Sequence, residues 1–396
     1  MSLMPSQPVH NKVSVKQLLS LIPDEELSRL AGQTGVDYWA SVLYGKSMFY
    51  LLLYGLADSE KTSLRSLEDI FNSQRFKFLF NLDPDQTTRY NSISSRLATM
   101  DIAFFEEAYK LIFNVFRTHY SENDALGYNI VRVDSTMVAE TANKLEKGMH
   151  VGSKTNKKQV KYTICLEDLL PSSVQVFTEQ SQLNEDLTIP TTILKMIDPH
   201  PDTVFMFDRG VQSRKAYEDI AQNEYMFVTR VKENTRYKVI EELSTAKGTQ
   251  IGNLSVQADD WVNLYNGDNK KIITPFRLLK IKNEQGKSFL FLSNMKAATA
   301  EDIIMIYRKR WDIEVFFRFI KQELNFSHFI STNVNGIKII VYMTLILSML
   351  IHIYKKYNNI GFKTAKRRMK IELDDLLTIF IIQASGGNPN IFFRGP

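Results

Sequence analysis

Two aspartates in this chain follow runs of residues that read as buried strands. Asp134 comes after Ile130-Val131-Arg132-Val133, and Asp208 after Val204-Phe205-Met206-Phe207. A carboxylate at the end of a central strand is costly unless it is paired, hydrated or bound to a cation. Ligand crevices of such sheets lie outside strand ends. If the two strands are neighbours, the two carboxylates share one small space, and their repulsion calls for a cation. Hard divalent ions such as Mg²⁺ take a few carboxylates and keep water or phosphate oxygens. A pair of such ions can clamp the attacking and leaving oxygens of a phosphodiester during in-line displacement. Taken singly, each Asp also has a structural reading: Asp134 as a cap on the loop after it, Asp208 as the partner of Arg209.

A third acid changes the balance. Thr299 and Asp302 form a capping-box pattern that starts a helix expected to run to about Phe326. At 100° per residue, Tyr307, Arg310, Glu314 and Lys321 fall within about 60° of arc, with Trp311 at the edge. Met305, Ile313, Phe316, Phe319, Ile320 and Leu324 cluster on the opposite side and read as core. The stripe holds one carboxylate, two cations and a phenol. An i,i+4 pair on a solvated face accounts for Arg310 and Glu314. It does not account for Lys321, two turns on, which suits a polyanion lying along the helix. Lys309, Asp312 and Glu323 read as ordinary surface.

Tyr307-x2-Arg310-x3-Glu314-x6-Lys321 resembles the Y-R-E-K signature of bacterial DDE transposases of the insertion-sequence-four family. "VRVDSTMV" and "VFMFDRG" look like that family's first and second aspartate segments, and "MFVTRVKEN" is similar to its next strand. The resemblance covers about Ile130 to Tyr354. It implies a ribonuclease-H-like catalytic core carrying a β-rich insertion. It also implies metal-dependent cleavage at insertion-sequence ends and strand transfer into target DNA. Asp134, Asp208 and Glu314 would be the catalytic acids and would hold two divalent ions, Mg²⁺ with Mn²⁺ able to substitute. The implied partners are double-stranded DNA, as terminal inverted repeats and as target, and a second copy of the chain on paired DNA ends. Tyr307, Arg310 and Lys321 would grip phosphates near the cleaved end.

Trp311 is a candidate for base stacking, against ordinary packing. Trp261 is of the same kind, with packing favoured. Arg230 and Lys161 lie on expected core strands and could face the DNA. Lys154, Lys157 and Lys158 read as a solvated loop, with phosphate contact as the second reading. Two other functions stay open: a nuclease or resolvase on the same core that cuts without joining, and a DNA-binding relic whose acids are structural.

The elements that must position these residues divide the chain into four. Residues 1–126 read as an all-α domain, DNA end-binding being its candidate role, behind a disordered arm over 1–10. "SVKQLLSLIPDEELSRLAG", "SEKTSLRSLEDIFN" and "MDIAFFEEAYKLIFNVF" space apolar residues three and four apart. Residues 127–232 read as β-β-β-α-β-α-β, which makes the fold α/β, a mixed sheet with helices on its faces. In the light of the resemblance this is the first part of the catalytic core. Residues 233–297 read as the β-rich insertion. Residues 298–396 hold the glutamate helix and C-terminal helices, with a loose tail "SGGNPNIFFRGP".

Composition bounds the partners. Apolar residues make up 44% and charged residues 23%, as in ordinary soluble proteins. The net charge of +5 permits an anionic partner without demanding one. Cys165 is the single cysteine, which leaves no intrachain disulfide and no cysteine zinc cluster and suits a reducing cytoplasm. The first thirty residues carry no signal-peptide pattern. "IIVYMTLILSMLIHIY", residues 339–354, is broken by Thr344, Ser348 and His352 and falls short of the about 20 apolar residues of a spanning helix. It reads as a buried core helix, so no membrane is expected. The chain shows no glycine-rich phosphate loop, so no nucleotide cofactor is expected.

Overall fold

The computed structural model describes residues 12–391 apart from 59–61, 121–125, 141–143, 153–156, 169, 197–198, 244–246 and 269. The expected N-terminal arm, Lys154 and the last residues of the tail lie outside the described residues.

Among the described residues the N-terminal periodicity resolves into seven helices: α1 (Val15–Ser20), α2 (Asp24–Thr34), α3 (Gly45–Asp58), α4 (Leu64–Asn72), α5 (Gln74–Leu79), α6 (Tyr90–Thr99) and α7 (Ile102–Tyr120). Ser14 and Ser63 start α1 and α4 with capping boxes. Pro23 stands at the N-cap of α2 and separates it from α1.

The β-rich part follows the expected order with one added two-residue strand. It comprises β1 (Asn129–Glu140), β2 (Met149–His150), β3 (Lys158–Glu167), β4 (Leu170–Phe177), α8 (Glu185–Leu194), β5 (Thr203–Phe207), α9 (Arg214–Gln222) and β6 (Met226–Val231). Next come β7 (Tyr237–Glu242), β8 (Gln250–Ile251), β9 (Leu254–Leu264), β10 (Phe276–Asn283) and β11 (Ser288–Ser293). The chain closes with α10 (Ala300–Arg308), α11 (Trp311–Glu323), α12 (Val334–Asn358) and α13 (Phe362–Ala384).

Among the described residues all eleven strands join one mixed sheet in the order β2-β3-β1-β5-β6-β11-β10-β9-β7, with β4 on β3 and β8 on β9. β1, β5 and β6 run parallel, and the stretch from β7 to β11 extends the same sheet through antiparallel pairing of β11 with β6. β5 is buried at every position. Its Val204 and Met206 pack with Ile303, Ile304 and Ile306 of α10. Its Phe205 and Phe207 pack with Ile189 and Ile193 of α8 and Tyr217 and Ile220 of α9. A continuous apolar run is what a strand covered on both faces requires. At the far edge, β7 is exposed along its whole length.

Contacts group the chain into two compact units, one of 1–120, 144–146 and 319–396, the other of 121–143 and 147–318. In the first, α12 packs against α3, α6, α7 and α13. It is long and apolar enough to cross a membrane, yet 89% of its apolar window is buried in protein. Two of its three polar interruptions are satisfied locally, since the Thr344 and Ser348 hydroxyls donate to the carbonyls of Ile340 and Leu345.

Candidate active site

β1 and β5 are adjacent and parallel, with Asn129 opposite Thr203 and Arg132 opposite Met206. The pairing stops there, and two further residues on each chain bring Asp134 level with Asp208. Asp134 does not close its strand, as the polar residues after it suggest. β1 continues to Glu140 because β3 still supports it, with Asp134 opposite Ile164. What ends at this level is the parallel neighbour. Each carboxylate also holds its own backbone: Asp134 accepts from the Ser135 N–H at 2.7 Å, and Asp208 from the Gly210 N–H at 2.6 Å.

Burial pushes the Asp134 carboxyl up to about 7 against the pull of the Ser135 N–H. Asp208 and Glu185 add to the push, and Arg310 opposes it. Glu185, the first residue of α8, is a fourth acid at the site. Burial and Asp208 raise its carboxyl, and Lys161 lowers it. Its Oε2 and the Oδ1 of Asp208 both crowd Gly210, where any side chain would collide with the first and come within 2.8 Å of the second. Glu185 carries only a weak signal in the sequence, because acids after an N-cap Asn are ordinary at a helix start.

Lys161 on β3 is fully buried, donates to the Leu183 carbonyl, and faces Glu185 and Asp134. Its ammonium sits beside the acids as an internal counter-charge rather than on the surface where DNA contact was expected.

The helix expected from Thr299 to Phe326 is two helices. α10 begins with the Thr299–Asp302 capping box, as expected, but stops at Arg308. Across the joint, the amides of Lys309, Arg310 and Asp312 each reach back three residues rather than four, at 3.0–3.2 Å. The wheel therefore does not run unbroken through Arg310. Ile313, Phe316, Phe319, Ile320 and Leu324 are nonetheless buried as expected, while Met305 is half-buried.

Arg310 and Glu314 meet at 2.6 Å. Burial works against the Arg310 charge, but the bond to Glu314 and the fields of Tyr307, Glu314 and Asp208 raise its pKa. Tyr307 packs its ring against that of Phe291, centroids 4.7 Å apart and planes tilted by 42°. Burial raises its hydroxyl, with Arg310, Arg230 and Arg209 pulling the other way. Arg230 on β6 lies over the Phe289 ring at 4.4 Å. Burial lowers its pKa, and Arg209 and Arg310 lower it further. Arg209, Arg230 and Arg310 thus make a basic wall beside the acids, and Arg209 was not among the expected members.

Trp311 is 54% exposed at the start of α11, and Lys321 is half-buried two turns beyond Glu314 on that helix. Trp261 is half-buried on β9, Lys157 is exposed, and Lys158 belongs to β3 rather than to a loop.

The donor set suits a hard divalent cation, because the carboxylates of Asp134, Asp208 and Glu185 converge closely enough to raise one another. Among the described residues no three acids, histidines or cysteines stand close enough to hold an ion together. Glu314 is turned to Arg310 instead.

Residues 125–350, over half of the chain, match the family model of the transposase DDE domain. A Sinorhizobium fredii protein named as transposase y4zB is 30% identical over 158 residues, 39% of this chain and 44% of that protein. A Geobacillus stearothermophilus protein named as a transposase for insertion sequence element IS5377 is 26% identical over 206 residues, 52% of this chain and 51% of that protein. The chain thus spans about half the length of the curated relatives it matches. A solved piggyBac transposase synaptic complex with hairpin DNA is 14% identical, with a TM-score of 0.48 over 99% of this chain and 84% of that one. By the domain that fills more than half of it, this chain belongs to the DDE transposase family.

Proposed function

We propose that the chain is a transposase of the insertion-sequence-four type, which cuts DNA at the terminal inverted repeats of its own element and joins the freed ends to target DNA. Asp134, Asp208 and Glu314 would hold two divalent ions, Mg²⁺ or Mn²⁺, on a ribonuclease-H-like core. That core comprises 127–232 and the glutamate helix, with 233–297 as its insertion and 1–126 as the domain that binds DNA ends. When bound, the ions supply charge neutralisation and Lewis acidity to the attacking and departing oxygens. The observation that carries this reading is the level register of Asp134 and Asp208 on adjacent parallel strands, with the Arg310–Glu314 pair facing them.

The protein's own side chains do the rest. Arg209, Arg230, Arg310 and Tyr307 receive phosphates, with Lys321 farther along the strand and Trp311 available to stack on a base. A phosphate at the basic wall competes for the Arg310 guanidinium. Glu314 is then released from its ion pair toward the two aspartates. Asp134 holds a proton on its carboxyl below about neutral pH and gives it up above. Two ends processed together call for a homodimer on DNA, acting in the cytoplasm.

The test uses the full chain, a labelled duplex carrying the repeats that flank its gene, a target plasmid and Mg²⁺. Cleavage at the repeat end and joined products are expected. Glu314→Gln should slow cleavage at least about a thousandfold, the scale of several kcal/mol of lost stabilisation, while end binding persists. Cleavage by this variant at the wild-type rate would sink the metal-site assignment. Cutting without joining would favour a nuclease, and binding without cutting a relic.

A further inference from the structure

A single guanidinium ties the strand of Asp134 to the joint that leads to Glu314. Arg132 precedes Asp134 by two residues on β1, so both side chains leave the same face of the sheet. Its side chain is buried, and it donates to oxygens along its whole fork. Nε donates to the Lys309 carbonyl at 3.0 Å, Nη1 to the Asp168 carbonyl at 3.0 Å, and Nη2 to Asp312 Oδ2 at 2.8 Å. In a continuous helix the Lys309 carbonyl would accept from the amide of residue 313. Here it accepts from Arg132 and from the Asp312 amide. The contact that holds the joint therefore coincides with the break between α10 and α11. Asp312, ordinary surface by sequence, keeps 42% of its side chain exposed yet neutralises a guanidinium that is only 6% exposed. With the Ile130 carbonyl at 3.4 Å from Nη1, the planar fork of arginine reaches four acceptors in fixed directions, more than the three N–H donors of one ammonium serve.

We propose that Arg132 is a positioning residue for Glu314. Through Asp312 and the Lys309 carbonyl it fixes where α11 begins against β1, and so the direction in which Arg310 and Glu314 approach Asp134 and Asp208. Glu314 lies two residues past Asp312, about 3 Å along the helix axis, so a tilt at the joint displaces it directly. The proposal rests on the reading of Glu314 as a metal-facing acid.

The test compares Asp312→Ala, Arg132→Met and the double variant in the full chain. Hydrogen–deuterium exchange of the free protein reports the joint, and cleavage of the end duplex with Mg²⁺ reports its consequence. Amides 309–316 should exchange faster in each variant, with those of α9 unchanged. The rate at saturating DNA should fall roughly 10- to 100-fold with KM for DNA unchanged, the scale of a misplaced catalytic group. The double variant should be no slower than Arg132→Met, because both changes remove one clamp. Unchanged exchange in Asp312→Ala, whose half-exposed position leaves the core intact, would overturn the proposal. So would rate losses that multiply in the double variant, or a KM that rises in step. If the wild-type chain does not cleave, the functional reading fails, and the exchange data still decide whether Arg132 holds the joint.

Discussion

At the scale of single residues, Asp134 makes the site sensitive to pH. Its carboxyl titrates near 3.8 without the fold's influence and at about 7 in the folded chain. Between those values the folded chain binds the extra proton, so stability falls as pH rises through that window. The contribution is fully present below about 4 and lost above about 7. Three pKa units correspond to about 4 kcal/mol at most. In EDTA, urea unfolding of the wild type should show stability declining from pH 5 to pH 8, and Asp134→Asn should remove most of that decline. A variant with the wild-type slope would show that other groups set it. Excess Mg²⁺ should also flatten the decline, since a cation replaces the proton. The two aspartates were legible because apolar runs ending in an acid are conspicuous. Glu185 was not, because its proximity to Asp208 arises only when α8 folds back over β5.

At the scale of elements, the turn after β5 has the least freedom. Gly210 lies under two carboxylates, so Gly210→Ala should displace Glu185 or Asp208 and abolish cleavage. The aromatic packing of Phe207, Tyr217 and Phe227 does not involve this position, so thermal stability should stay near wild type. Retained cleavage in the alanine variant would show that Glu185 swings away at no cost. β5 itself was readable from the unbroken apolar run Val204-Phe205-Met206-Phe207. The break between α10 and α11 was not, because no Gly or Pro marks it and Arg132 stands 177 residues before Lys309 in sequence. β9 is hard to delimit inside the β-rich stretch for a similar reason. Asp259 and Asp260 make it look polar, until Arg277 of β10 takes Asp259 in a buried two-bond pair at 2.7 and 2.6 Å.

At the scale of the whole molecule, periodicity shows which face of a helix is apolar but not which partner covers it. The N-terminal helices and those after Phe319 therefore read as separate segments, although they share one compact unit. The long reach expected of a DNA partner is tested at Lys321. Lys321→Ala should weaken end binding at low salt and reduce the slope of log affinity against log salt by about 0.9, one counterion fewer. An unchanged slope would remove Lys321 from the DNA path. The far edge of the sheet carries a different consequence. Val239 and Ile240 on β7 are exposed beside a backbone edge that pairs with no further strand among the described residues. Such an edge is a template on which another chain can add a strand. Lys238, Glu241 and Glu242 on the same six residues charge it, so three side chains far from any chemistry guard this edge against the addition of a strand.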